Sequence, residues 1–275
     1  MIDTRLSNYS TSRLLAGVAR IVDGYAGLRA HEAYRRTGLL AGRYADSHPA
    51  IAQRYPRFAE LVDAPATAVT AEALRTAVGI GMCLNAGDHR RQGMLAALDI
   101  GLSRLITARS NFGREGADDM MDALSLLTLL TAGERDAQSA HKAYLTAVNV
   151  QLSLAYAMAG LAKVVSYEWT SGEAVRMIMS TESFGDPKLY AWFTNHREAG
   201  KIMTRMVAVA ELLYPLIYLV PNRQVARILA CSGMGFHFMV AAKMSLPQFV
   251  YAFGAAYPAV FWAIARRDAT KRSGT

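Results

Sequence analysis

The chain has 275 residues, 52% of them hydrophobic and 19% charged, with a formal net charge of +8. That length admits one large domain or two small ones. The two cysteines, Cys83 and Cys231, lie inside apolar runs without C-x-x-C spacing, which speaks against a disulfide framework or a thiolate metal centre. The basic residues form short clusters between apolar runs: Arg35-Arg36, Arg90-Arg91, Arg223 with Arg227, Arg266-Arg267 and Lys271-Arg272. Positive charge surrounds membrane spans in this way and is not laid along one phosphate-binding face, so no nucleic-acid partner is expected.

The opening residues, MIDTRLSNYSTSRLL, lack the apolar stretch and small-residue cleavage site of a signal peptide. A first span is expected over about 14–28, with Arg20 and Asp23 three residues apart and able to pair. A basic, helical segment follows over about 30–68, expected to lie along the interface. Three further spans are expected at about 70–87, 92–108 and 119–132. A polar loop, RSNFGREGADDMM, precedes the last of these; it carries Arg109 and Asn111, and Asp118 or Asp119 is suited to an N-cap.

A fifth span is expected over 143–165, uncharged until Lys163. Stepping back from Lys163 on a helical period places Gly160, Tyr156, Ser153 and Asn149 on one face. Small and hydroxyl residues there let helices approach closely. Lys163 itself has two readings: an anchor whose stem snorkels to the headgroups, or a buried amine available as a base. The segment 167–200 holds a turn at Gly185-Asp186-Pro187 and is a second candidate for the interface.

Three more spans complete the chain. Residues 207–220 are apolar except for Glu211, an acid expected to face the bundle interior with a partner. Residues 225–242 contain Arg227 near the start and His237. The last, Leu246 to Ala265, has no charge in twenty residues, enough to cross about 30 Å of hydrocarbon. The expected class is therefore an all-α polytopic membrane bundle of about eight helices, one domain with its core over about 13–265. Arginines in short loops place both termini in the cytoplasm; a soluble all-α globule is the competing class. No glycine-rich phosphate loop, nucleophile elbow or His/Cys metal cluster is present, so no protein-bound metal is expected. Lys163, Glu211 and His237 are expected to share one polar cavity, because exposing them to lipid is costly.

The stretch LAYAMAGLAKVVSYEWTSGEA resembles the signature of the HTTM family, whose membrane domain is shared with vitamin K-dependent gamma-carboxylase. The residues that carry the resemblance are Tyr156, Ala159-Gly160, Lys163, Trp169 and Gly172. Arg109 and Asn111, with Gly116 and Asp118 or Asp119, resemble its polar loop. Glu211 with Pro215 resembles its acidic position, and FHFMVAAKM its histidine-led segment. The resemblance implies a multi-pass protein of the cell membrane, bacterial in type, in which Lys163 is a general base and Glu211 and His237 also act in catalysis. It implies that Tyr156, Trp169, Arg109, Asn111, Asp118 and Asp119 bind substrate; Asn149, on the face of Lys163, and Arg20, charged within a span, join them as candidates from the residues themselves. By resemblance alone, the cofactor would be a reduced quinone with oxygen. Two features separate the chain from the carboxylase: GADD stands where an Asn-His pair is expected, and no counterpart of the large lumenal domain is seen in these residues.

Two functions follow. One is a membrane enzyme, a carboxylase-like lyase or an oxidoreductase, acting on a lipophilic quinone-like or isoprenoid-like molecule or on a peptide. The other is a non-catalytic membrane partner in the maturation or export of a secreted peptide.

Overall fold

A computed structural model describes residues 7–109 and 116–272, with side chains as far as Arg266. The described residues are all-helical, with no strand. Asn111 of the polar loop lies outside them. The chain divides into two compact units, residues 1–144 and 145–275.

In the first unit, α1 (Asn8–Arg29) starts at Ser7, whose hydroxyl accepts the Ser10 amide. A 3-10 turn at His31–Tyr34 leads to three short helices, α2 (Tyr44–Ser47), α3 (Pro49–Arg54) and α4 (Pro56–Asp63). Prolines at the first helical position restart the chain at α3, α4 and α5 (Pro65–Leu84), where a missing N–H costs nothing. α6 (His89–Ala108) is capped by Asp88, which accepts the Arg90 and Arg91 amides; those bonds hold its carboxyl below the usual range. α7 (Gly116–Thr131) carries Asp118 and Asp119 in its first turn. Neither is the expected N-cap, because the helix has begun before them; both still complement the positive end of the helix dipole. The main packing is α1 on α5, α6 on α7, and α5 on α6.

α8 (Ala137–Val165) runs through the boundary between the units. The second unit continues with α9 (Tyr167–Thr170), α10 (Ala174–Met179), α11 (Pro187–Asn195), α12 (Arg197–Leu213), α13 (Arg223–Met244) and α14 (Gln248–Arg272). At the expected turn, Asp186 caps α11 and Pro187 is its first residue. After α12 the chain tightens into a 3-10 turn at Tyr214–Leu219, because Pro215 has no amide hydrogen to continue the α pattern. Asn222 caps α13 through the Gln224 and Val225 amides. α13 and α14 pack on one another, and both carry fully buried alanines: Ala226, Ala230, Ala252, Ala255, Ala256 and Ala259 are all at most 1% exposed.

Four helical stretches among the described residues are long and apolar enough to cross a membrane. They are Ala137–Val165, Arg197–Leu219, Arg223–Met244 and Gln248–Arg266. Each overlaps one of the last four expected spans.

Candidate functional site

The inward face of α8 is the spine of the candidate site. Lys163 Nζ lies 2.5 Å from Glu211 Oε2 of α12 and 5.0 Å from the centroid of the Trp169 ring. The helices come together at Gly160, where an added Cβ would collide with the backbone of Leu212, the residue after Glu211. Glycine at that position therefore sets the distance over which the lysine meets its acid. Gly172, in the turn between α9 and α10, has φ +87, a left-handed conformation that side chains other than hydrogen resist.

One turn inward, the Tyr156 hydroxyl lies 2.6 Å from His237 Nε2 and 3.0 Å from the Tyr257 hydroxyl. Tyr156 stacks on Tyr214 at 4.0 Å, and His237 stacks on Phe253 at 3.9 Å. His237 is buried, and its Nδ1 has no hydrogen-bond partner among the described residues. Deeper still, Asn149 donates to the carbonyls of Leu145 and Ala259 and accepts from the Tyr218 hydroxyl at 2.6 Å. Every polar group of the α8 face thus meets a partner on α12, α13, α14 or the 3-10 turn.

Beside this spine runs a groove of about 730 Å³, lined by Met203, Met206, Val207, Leu216, Leu229 and Met239 among others. Tyr156, Glu211, Tyr214 and Ser232 are also among its lining residues. The lining of this groove includes Glu211 but neither Lys163 nor His237, so it is not the shared polar cavity expected for the three. Glu211 lines an apolar groove, Lys163 touches it through that carboxylate, and His237 stands behind Tyr156. The reason is economical: each charge is met by a neighbour, so the space left over is hydrocarbon-like.

The remaining candidates lie in the first unit. Arg20, 1% exposed, is the hub of a buried network. Its guanidinium meets Asp99 at 2.8 Å, Asp122 at 3.4 Å and Asp23 at 3.6 Å. Ser125 donates to Asp99 and Ser103 to Asp122, at 2.6 and 2.7 Å. Arg20 therefore meets Asp99 and Asp122 as well as the Asp23 expected from their spacing on α1. The available signal was Asp99 as the lone carboxylate of the span 92–108, with Gln92, Ala96, Asp99 and Ser103 following a helical period. Arg109 donates to the carbonyls of Val62, Asp63 and Ala64 and lies 5.5 Å from the centroid of the Tyr34 ring. It therefore ties the end of α6 to the end of α4.

Chemically, the second unit offers a primary amine held against a carboxylate at the wall of an apolar groove, with a phenol backed by an imidazole about two helical turns away. Compared with protein families, with curated proteins and with solved structures, the chain matches none.

Proposed function

We propose that this is a multi-pass protein of the cell membrane that binds a lipophilic molecule in the groove of its second unit and moves a proton on it with Lys163 and Glu211. The observation that carries the reading is the Lys163–Glu211 contact at the edge of an apolar groove that Glu211 itself lines. A lysine beside a carboxylate can pass its proton there and act as a base, a role arginine cannot fill. The groove accepts an aliphatic or quinone-like body, with the Tyr156 and Tyr214 side chains in its wall.

Eight spans, in place of four, are part of the same proposal. α1, α5 and α6 have 22, 20 and 20 residues, enough for about 30 Å at 1.5 Å per residue. Arg13, Arg20, Glu72 and Asp99 of these helices are buried, while Leu74, Ile80, Leu84, Met94, Leu98, Leu126 and Leu130 of α5, α6 and α7 point outward and exposed. Charged inside and apolar outside is the arrangement a bilayer selects. Membership of the HTTM family belongs to this reading, with Gly160 and Gly172 at positions where the backbone requires glycine.

A second reading keeps the membrane and drops the chemistry. Glu211 and Trp169 already satisfy Lys163, as they would in a purely structural pair, and the protein would then serve as a non-catalytic partner in peptide maturation. Purification in nanodiscs, followed by mass spectrometry of the bound small molecules, separates the two. The enzyme reading expects a lipophile other than phospholipid, lost when Ala210→Trp fills the groove. It also expects Lys163→Arg to retain that molecule in an unconverted form. A groove holding only bulk phospholipid in every variant would leave the partner reading in place.

A further inference from the structure

Residues 31–63 of the first unit combine two features that the site does not use. Leu39, Ile51, Tyr55, Phe58 and Leu61 are between 42% and 78% exposed. α4 turns Ala59 and Val62 inward against Tyr44, so Phe58 and Leu61, three residues apart, form an outward apolar stripe next to the buried one. α3 ends and α4 begins at Tyr55, so Ile51 and Tyr55 lie within ten residues of Leu61.

The same segment carries five arginines against four carboxylates. Glu32 pairs with Arg35 and Asp46 with Arg43, while Asp63 accepts the Tyr44 and Ala45 amides. Arg36, Arg54 and Arg57 are exposed and have no ion pair among the described residues. The Arg54 guanidinium lies 5.6 Å from the centroid of the Tyr55 ring, which puts charge and aromatic surface side by side. Arg36 and Arg43 also line a cleft of about 530 Å³ between α2 and α4.

We infer that this segment is an interfacial element that docks on an anionic lipid surface, its apolar stripe set at the acyl boundary and Arg36, Arg54 and Arg57 against the phosphates. Amphipathic helices with aromatic and leucine residues on one side and arginine on the other sit at that depth, and guanidinium matches phosphate geometry. A second copy of the chain is the poorer occupant. A twofold contact through this face would set the same unpaired arginines against one another. The inference needs the chain to be in a membrane but does not depend on the chemistry proposed for Lys163.

The test uses the full chain with Cys83 and Cys231 replaced by serine, reconstituted in phosphatidylcholine nanodiscs with or without phosphatidylglycerol. Nitroxides are placed at Ile51→Cys and Leu61→Cys, with Glu60→Cys as the aqueous reference and Leu154→Cys, exposed on α8, as the lipid reference. The expected result is an oxygen-to-nickel accessibility ratio at 51 and 61 severalfold above that at 60, rising with phosphatidylglycerol. Arg54→Gln with Arg57→Gln should remove that rise, since each arginine near an anionic surface is worth about a fivefold partition. Water-like values at 51 and 61 with a lipid-like value at 154 would overturn the docking surface and spare the spans. A water-like value at 154 as well would overturn both. Spin–spin broadening between copies, or no response to phosphatidylglycerol, would also overturn the inference.

Discussion

The two units build helical interiors from opposite materials. In the first, the contact of α1, α6 and α7 is an ionic hub: Arg20 with Asp23, Asp99 and Asp122, completed by Ser103 and Ser125. In the second, α13 and α14 bury six alanines, and the polar groups along α8 are mostly uncharged, with Lys163–Glu211 as the ion pair of that face. Apolar packing among helices tolerates loss in small steps. An ionic hub does not, because removing one member strands the others in a medium that cannot solvate them.

The largest expected effect tests that difference directly. Asp99 is fully buried and holds Arg20 through its closest contact. Asp99→Ala should destabilise the first unit by about 3–5 kcal/mol, the usual consequence of leaving a buried charge uncompensated. Thermal unfolding of the detergent-solubilised chain, followed by circular dichroism, reads the loss. The double replacement Arg20→Met with Asp99→Leu should recover much of it, since a well-packed apolar pair often replaces a buried ionic one without cost. If the single variant melts like the parent, the hub contributes nothing and the comparison fails.

The second unit should respond to shape rather than charge. Gly160→Ala puts a methyl against the backbone of Leu212, and backbone cannot give way as a side chain can. A cost of about 1–3 kcal/mol is expected from overpacking. Because Glu211 precedes Leu212, the same variant should also lengthen the Lys163–Glu211 contact. Amine-reactive labelling of Lys163, followed by mass spectrometry, should rise in Gly160→Ala and stay low in a control such as Leu161→Ala on an exposed position of the same helix. Unchanged labelling would mean that Gly160 does not set that distance.

The same contrast explains what the sequence made legible. Hydropathy finds helices whose interior and exterior are both apolar, and the stretch from Leu246 to Ala265 is the clearest case. It sees α1 and α6 poorly, because averaging along the chain mixes inward charges such as Arg13, Arg20 and Asp99 with outward leucines. The face through Lys163, Gly160, Tyr156 and Asn149 followed from period alone, and these four residues do turn to the interior of the second unit. Their partners could not be read. That Tyr156 meets His237 and Tyr257, 81 and 101 residues away, depends on which helices lie beside α8, and no local pattern encodes this. The segment 31–63 was legible as basic and helical, but its prolines break it into short pieces, and which apolar residues stay exposed depends on tertiary packing.

The smallest expected effect sharpens the comparison by placing the first unit's chemistry on the surface of the second. Glu173 lies between Arg176 at 2.7 Å and Arg197 at 3.1 Å, a triad like that of Arg20 with the charges reversed. Both arginines hold its carboxyl below the usual range, Arg176 more strongly. A carboxylate with a lowered folded-state pKa stabilises the protein fully above its unfolded value, and that contribution is lost as pH falls through the folded value. Glu173→Gln should therefore match the parent's melting behaviour in acid well below the ordinary glutamate range and differ from it, slightly, only near neutrality. Raising the salt should erase even that difference, since exposed pairs are screened. The Asp99 effect should survive the same salt, because its partners are buried away from mobile ions. If instead salt weakened both variants' effects equally, the hub would be as solvent-accessible as the surface triad, and burial would not be what separates the two units.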